Sequence, residues 1–237
     1  MRYHVLASDY DGTLARGGQV DKPTMDSLHR LRESGRIPIL VTGRLLHDLL
    51  NVFPHPEIFE RIVAENGALV FNPADRKETV LAEPPSDRLA SLLRRQGVPL
   101  SVGRAIIATT TPHETAVLEA VRELGLELQV IFNKGAVMVL PTGINKASGL
   151  QFALTETGFS PHSAVAIGDA ENDQAFMELC ECSAAVANAL PAVKERADLI
   201  TNGDHGAGVA ELIDRLVATD LAELEPLQRR HPHDQAR

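Results

Sequence analysis

Two aspartates stand one residue apart in Ser8-Asp9-Tyr10-Asp11-Gly12-Thr13-Leu14, directly after the apolar run Val5-Leu6-Ala7. Like charges this close raise each other's pKa unless a cation offsets them. A second acidic run, Gly168-Asp169-Ala170-Glu171-Asn172-Asp173, follows another strand-like segment. In open parallel sheets the carboxyl ends of the strands share one crevice, so Asp9, Asp11, Asp169 and Asp173 are expected together. Such a cluster is too repulsive to persist without a cation. Its donors are all oxygens, with no His or Cys among them, which selects a hard ion. Mg²⁺ binds through few carboxylates, water and a substrate phosphate, and fits this supply. Thr42-Gly43-Arg44 ends a further apolar run ahead of a helix, aiming a hydroxyl and backbone N–H groups at one place suited to an anion. Lys146 opens another helix after Thr142-Gly143 and can offset charge on a nucleophile or a phosphoryl oxygen. The constellation reads as a phosphoryl-transfer site.

The elements that must position these residues alternate apolar runs of strand length with helix-period segments, the pattern of a parallel sheet covered by helices. Strands are expected over 3–8, 37–41, 61–64, 69–71, 164–167, 184–187 and 199–201, and helices over 23–34, 45–52, 146–157, 172–179, 191–197 and 208–217. Past residue 83 the rhythm changes. There the expectation is a helix over 86–96, strands over 100–102 and 105–110, a helix from Thr111 to Leu124, and a strand pair, 128–132 and 136–140, turned at Asn133-Lys134-Gly135. Strands joined by short turns signal an antiparallel α+β module. The expected organisation is a core over 1–82 and 143–218, an inserted domain over 83–142, and a flexible tail or linker over 219–237.

Composition narrows the partners. A net charge of −9 with no Lys/Arg block argues against nucleic acid. No apolar run approaches the ~20 residues that span a bilayer, and no signal pattern opens the chain, so no membrane partner is expected. Cys180 and Cys182 have neither disulfide nor zinc spacing and read as reduced, structural residues of a cytoplasmic protein. His29, His47, His55, His113, His162 and His205 are scattered without ligand spacing, and His231 and His233 sit in the polar tail.

Four segments carry a family resemblance. Asp9-Tyr-Asp11-Gly-Thr13, Val41-Thr42-Gly43-Arg44, Ile144-Asn-Lys146 and Gly168-Asp169-Ala-Glu-Asn172-Asp173 resemble, in chain order, the signature motifs of the haloacid dehalogenase (HAD) superfamily. Glu65-Asn66-Gly67-Ala68 and Val186-Ala-Asn188-Ala189 resemble its Cof-type branch, with Ala187 standing where that branch often has Gly. The resemblance implies a Rossmann-like α/β core with an inserted α+β cap of type IIB. It implies a Mg²⁺-dependent phosphatase acting on a small phosphorylated metabolite, a sugar phosphate or a phosphoglycolate-like compound. Asp9 would be the nucleophile that forms an aspartyl-phosphate. Asp11 would be general acid and base, and Thr42 and Lys146 would bind the transferring phosphoryl group. The metal would fall to Asp9, the Asp11 carbonyl and Asp169, with Asp173 in support. Gly43, Arg44, Asn172 and Asn188 are substrate-contact candidates. Arg44 could equally pair with Glu65, and Asn66 and Asn188 could equally hold loop backbone. A phosphomutase of the superfamily, or a regulatory or partner-binding module of a longer protein, are the alternative functions. The expected oligomeric state is a monomer or weak dimer.

Overall fold

The computed structural model describes residues 1–222. In chain order its elements are β1 (Val5–Ser8), α1 (Lys22–Glu33), β2 (Ile37–Val41), α2 (Leu46–Val52), β3 (Arg61–Ala64), β4 (Leu69–Asn72), β5 (Lys77–Val80), α3 (Asp87–Arg95), β6 (Ser101–Val102), β7 (Ile107–Thr110), α4 (Glu114–Glu123), β8 (Leu128–Asn133), β9 (Ala136–Pro141), α5 (Lys146–Thr157), β10 (Ala164–Gly168), α6 (Gln174–Leu179), β11 (Cys182–Ala185), α7 (Pro191–Lys194), β12 (Leu199–Ile200) and α8 (His205–Thr219). They build two sheets. An eight-stranded sheet runs β12-β11-β10-β1-β2-β3-β4-β5, parallel from β12 to β3 and antiparallel at β4 and β5. A four-stranded antiparallel sheet, β6-β7-β9-β8, is built from the intervening chain.

The central strands are short and almost wholly apolar because both of their faces are covered. All residues of β1 and β10 are buried, as expected of parallel strands under helices. Helix α1 packs on α8, and α5 on α6. The helix starts follow local chemistry. Asp21 caps α1 by accepting from the Thr24 N–H at 2.9 Å. At α5 the Asn145 side chain accepts from the Ser148 N–H while the Ser148 hydroxyl accepts from the Asn145 N–H, each at 3.0 Å. That reciprocal cap fixes Lys146 at the first helical position.

β1 lies between β2 and β10, so the chain leaves it to one side and returns to the other. The carboxyl ends at that switch point form the crevice where ligands bind in such sheets. Asp9 follows β1, Thr42 follows β2 and Asp169 follows β10. The smaller sheet meets the larger one through an apolar seam of Leu45 and Ala68 against Ala105, Ile106, Met138 and Leu140.

Several boundaries differ from the sequence expectation for physical reasons. β5 was not anticipated, because Lys77–Val80 has no apolar face and pairs only at the sheet edge. β11 spans Cys182–Ala185 rather than 184–187, since the apolar run continues past the point where the chain turns. Helix α6 begins at Gln174, because Glu171–Asp173 form a separate 3-10 turn. Helix α8 continues through Thr219. Asp220 then binds the Arg36 guanidinium at 2.8 Å and the buried Leu221 joins the core, so the residues just past 218 belong to the fold. The remainder of the expected tail, with His231 and His233, lies outside the described residues. Both cysteines are buried where α6 passes into β11. Among the described residues no helix is long and apolar enough to cross a membrane.

Candidate active site

Asp9 leaves the end of β1 with its carboxylate buried. The Lys146 ammonium, equally buried, bridges Asp9 Oδ1 at 2.5 Å and Asp173 Oδ1 at 2.6 Å. The other oxygen of Asp173 accepts from the N–H groups of Asp169 and Ala170, each at 2.9 Å. Asp173 is therefore held in place by three hydrogen bonds. It orients Lys146 and ties down the turn that carries Asp169. Asp169 Oδ1 accepts from the Thr13 hydroxyl at 3.1 Å, and its Oδ2 pairs with Lys134.

Charge in this cluster is out of balance. Burial, then repulsion by Asp173, pushes the Asp9 pKa up to about 7 against the attraction of Lys146. Burial pulls the Lys146 pKa down, but the Asp173 and Asp9 carboxylates outweigh it and raise the value. Asp169 is raised as well, by burial first, with the Lys134 hydrogen bond opposing. One oxygen from each of Asp9, Asp169 and Asp173 lies within 4.8 Å of the others. Three hard carboxylates against two ammonium groups fit a divalent cation of the Mg²⁺ type.

Asp11 sits apart from this cluster. Its two oxygens are chelated by Arg44, Nε at 2.6 Å and Nη2 at 2.8 Å, and the guanidinium lies over the Tyr10 ring at 5.4 Å. The Asp11 hydrogen bond is the main reason the Arg44 pKa is raised. Arg44 thus pairs with Asp11 and not with Glu65. The Thr42 hydroxyl accepts from the Arg44 N–H at 3.1 Å.

A cleft of about 620 Å³ opens over these groups, lined by Asp9, Asp11, Thr42, Gly43, Arg44 and Lys146 from the larger sheet. The smaller sheet contributes Ser101, Thr109, Thr110, Asn133, Lys134 and Met138. Two expected substrate contacts are not among the lining residues. Asn188 donates to the Gly12 carbonyl at 2.8 Å and accepts from the His205 N–H at 2.7 Å, which commits its amide to bracing the loop after Asp11. Asn172 donates to Asn66 Oδ1 at 3.2 Å, close behind Gly43.

Sequence reasoning missed Lys134, whose side chain crosses from the β8–β9 turn to Asp169. An Asn-Lys-Gly hairpin signals only a turn, and nothing local announces where its ammonium goes. It also missed His205, whose Nδ1–H donates to the Gly12 carbonyl at 2.8 Å beside Asn188.

The family model of haloacid dehalogenase-like hydrolases matches residues 6–94 and 101–213. Phosphoglycolate phosphatase 2 of Saccharolobus solfataricus is 31% identical over 229 residues, covering 92% of this chain and 94% of the relative. The phosphoglycolate phosphatase of Methanothermobacter thermautotrophicus is 30% identical over 220 residues, covering 90% and 98%. Among solved structures, a haloacid dehalogenase-like hydrolase from Bacteroides thetaiotaomicron superposes with a TM-score of 0.78 at 22% identity, covering 90% of this chain and 99% of that one.

Proposed function

Because the chain belongs to the haloacid dehalogenase-like hydrolase family and is a phosphatase of its Cof-type branch, we propose that it hydrolyses a small phosphate monoester bearing a carboxylate, of phosphoglycolate type, through a phosphoryl group carried on Asp9. The observation behind the substrate class is Lys134. Among the described residues it is the one cation that the smaller sheet contributes to the cleft lining. Thr109, Thr110 and Ser101 beside it are neutral hydroxyls. A compact leaving group with its own negative charge matches that wall better than a neutral sugar. The names of the two relatives point the same way.

In this reading Asp9 attacks phosphorus and the ester P–O bond breaks. The departing oxygen takes a proton from Asp11. Water, deprotonated by Asp11, then attacks the phosphorus of the acyl phosphate and frees Asp9 and inorganic phosphate. Lys146 and the Thr42 hydroxyl face the transferring oxygens. To donate its proton, Asp11 must leave the Arg44 chelate, so Arg44 holds the resting position of that side chain. Mg²⁺ would be held by Asp9, Asp169 and the Asp11 carbonyl, and when bound it supplies positive charge to the reacting oxygens. The smaller sheet acts as the cap, over 83–142.

A panel of phosphorylated metabolites, assayed for phosphate release with Mg²⁺, tests this. Carboxylate-bearing two- and three-carbon esters should show the highest kcat/KM. A neutral sugar phosphate in that place would overturn the substrate class. Transfer of phosphate to a second substrate position, without release, would replace phosphatase by mutase.

A further inference from the structure

After β3 the chain makes one 3-10 turn, Glu65–Gly67, in which Glu65 (φ 51°) and Asn66 (φ 54°) both occupy the left-handed region. Non-glycine residues persist there only where their surroundings hold them. Each residue of this turn is held by a different part of the molecule. The buried Glu65 carboxylate accepts from the N–H of Arg104 through Oε1 and from the N–H of Ala105 through Oε2, each at 3.0 Å. Both donors belong to the loop between β6 and β7 of the smaller sheet. Gly103 runs so near that a Cβ there would lie 2.5 Å from the carboxylate carbon. The backbone of the same turn points the other way. The Glu65 N–H donates to the Arg44 carbonyl at 2.9 Å and the Asn66 N–H to the Thr42 carbonyl at 3.0 Å. Gly67 lies directly on the start of α5, where a Cβ would fall 1.9 Å from the Asn145 carbonyl oxygen, next to Lys146.

We infer that Glu65 is a cap latch and a positioning residue. Its carboxylate grips the smaller sheet, while the backbone of the turn that carries it is pinned to Thr42 and to the start of α5, so that the cap is docked on a turn fixed to the phosphoryl site and loosening the carboxylate frees the cap without dismantling that site. Two N–H donors on one carboxylate make a charge-assisted clamp. An apolar side chain would fill the seam without the cost of desolvating an anion, but it could not be released into water. A cavity of about 320 Å³ lined by Glu65, Gly103 and Arg104 gives water a route to the clamp. The inference rests on the smaller sheet acting as a cap and is independent of which metabolite is hydrolysed.

Two variants test it. Glu65→Gln keeps the shape but sets an NH₂ against one of the two backbone donors. Gly103→Ala keeps Glu65 and pushes the loop away. In amide hydrogen exchange both should speed exchange over 103–106 by about tenfold or more, while β1 and β10 keep their protection. In turnover, kcat/KM for the best metabolite should fall by about tenfold, with hydrolysis of a small aryl phosphate changed by less than about threefold. Unchanged exchange over 103–106 would overturn the latch. Equal acceleration throughout β1 and β10, or equal losses on the two substrates, would reduce Glu65 to a general stabilising residue and also overturn it. The exchange measurement needs no substrate, so its failure is distinct from failure of the carboxylate reading of Lys134.

Discussion

The two sheets differ in how firmly they hold what they carry. In β1, β3 and β10 of the larger sheet every residue but Arg61 is buried, whereas β8 of the smaller sheet has no buried residue at all. Asp9 and Asp169 extend from the first kind of strand, and Lys134 from the turn after the second. A carboxylate that must meet phosphorus needs sub-ångström placement, which packed strands supply. A cation that chooses among leaving groups tolerates, and benefits from, a wetter and more adaptable support. On the proposed mechanism the difference separates chemistry from selection within one cleft, and it can be broken from either side.

The largest expected effect lies on the rigid side. Asp9→Asn replaces the proposed nucleophile by a near-isosteric amide, and turnover should fall by about 10⁴-fold or more, with the thermal melt close to that of the parent protein. Ordinary turnover by the folded variant would sink the covalent mechanism. Next is Asp11→Asn, expected to cost about 10²–10⁴-fold as general acid and base. Measured as single-turnover phosphorylation, its loss should be smaller for activated aryl phosphates, whose departure needs little protonation. Equal losses for alkyl and aryl esters would remove Asp11 from that role.

The same difference explains what could be read from the chain. Asp9, Asp11, Thr42 and Asp169 announce themselves because a short apolar run followed by a polar cluster marks a strand end, and parallel strands put those ends together. Lys146 shows through its helix-start signal. The parallel core and its helices were legible from periodicity for the same reason. Lys134 was not, because its partner stands 35 residues further on and its own neighbours specify only a turn. Glu65 was seen as part of a motif yet not understood, since its partners are backbone N–H groups that any sequence provides. For Asn188 the sequence left substrate contact and loop bracing equally open, because the partners that show the bracing, the Gly12 carbonyl and the His205 N–H, lie on other segments of the chain. Contacts of that kind become visible only when the fold is in hand.

A third prediction probes the adaptable side alone. Lys134→Gln keeps a polar, unbranched stem one atom shorter while deleting the charge. For a carboxylate-bearing ester kcat/KM should fall by about 10- to 100-fold, the range of a charge pair in a partly desolvated site. For a small aryl phosphate the change should stay within about threefold, because that substrate has no second anion for Lys134 to meet. Parallel losses on both substrates would move Lys134 from selection into the chemistry, and the contrast between the sheets would fail.

The smallest effect is the most specific, because it carries the opposite sign. In the structure Lys134 is paired with Asp169, one of the carboxylates proposed to hold Mg²⁺. An ammonium and a divalent cation would compete for the same oxygen, so holding the ion on Asp169 would require this pair to open. Asp169 is buried but Lys134 remains 44% exposed at its side chain, and pairs with one exposed partner are worth about 0–1 kcal/mol. Lys134→Gln should therefore tighten Mg²⁺ by about two- to fivefold in substrate-free protein, read by calorimetric titration without any assay of turnover. The substitution that weakens the chosen substrate thus strengthens the metal. With Mg²⁺ held on Asp169, the Lys134 ammonium would be free to face the cleft, where an anionic leaving group could meet it. Weaker Mg²⁺ binding in the variant would show that Lys134 supports the metal site instead of competing for it, and selection of the leaving group would then have to come from another part of the cap.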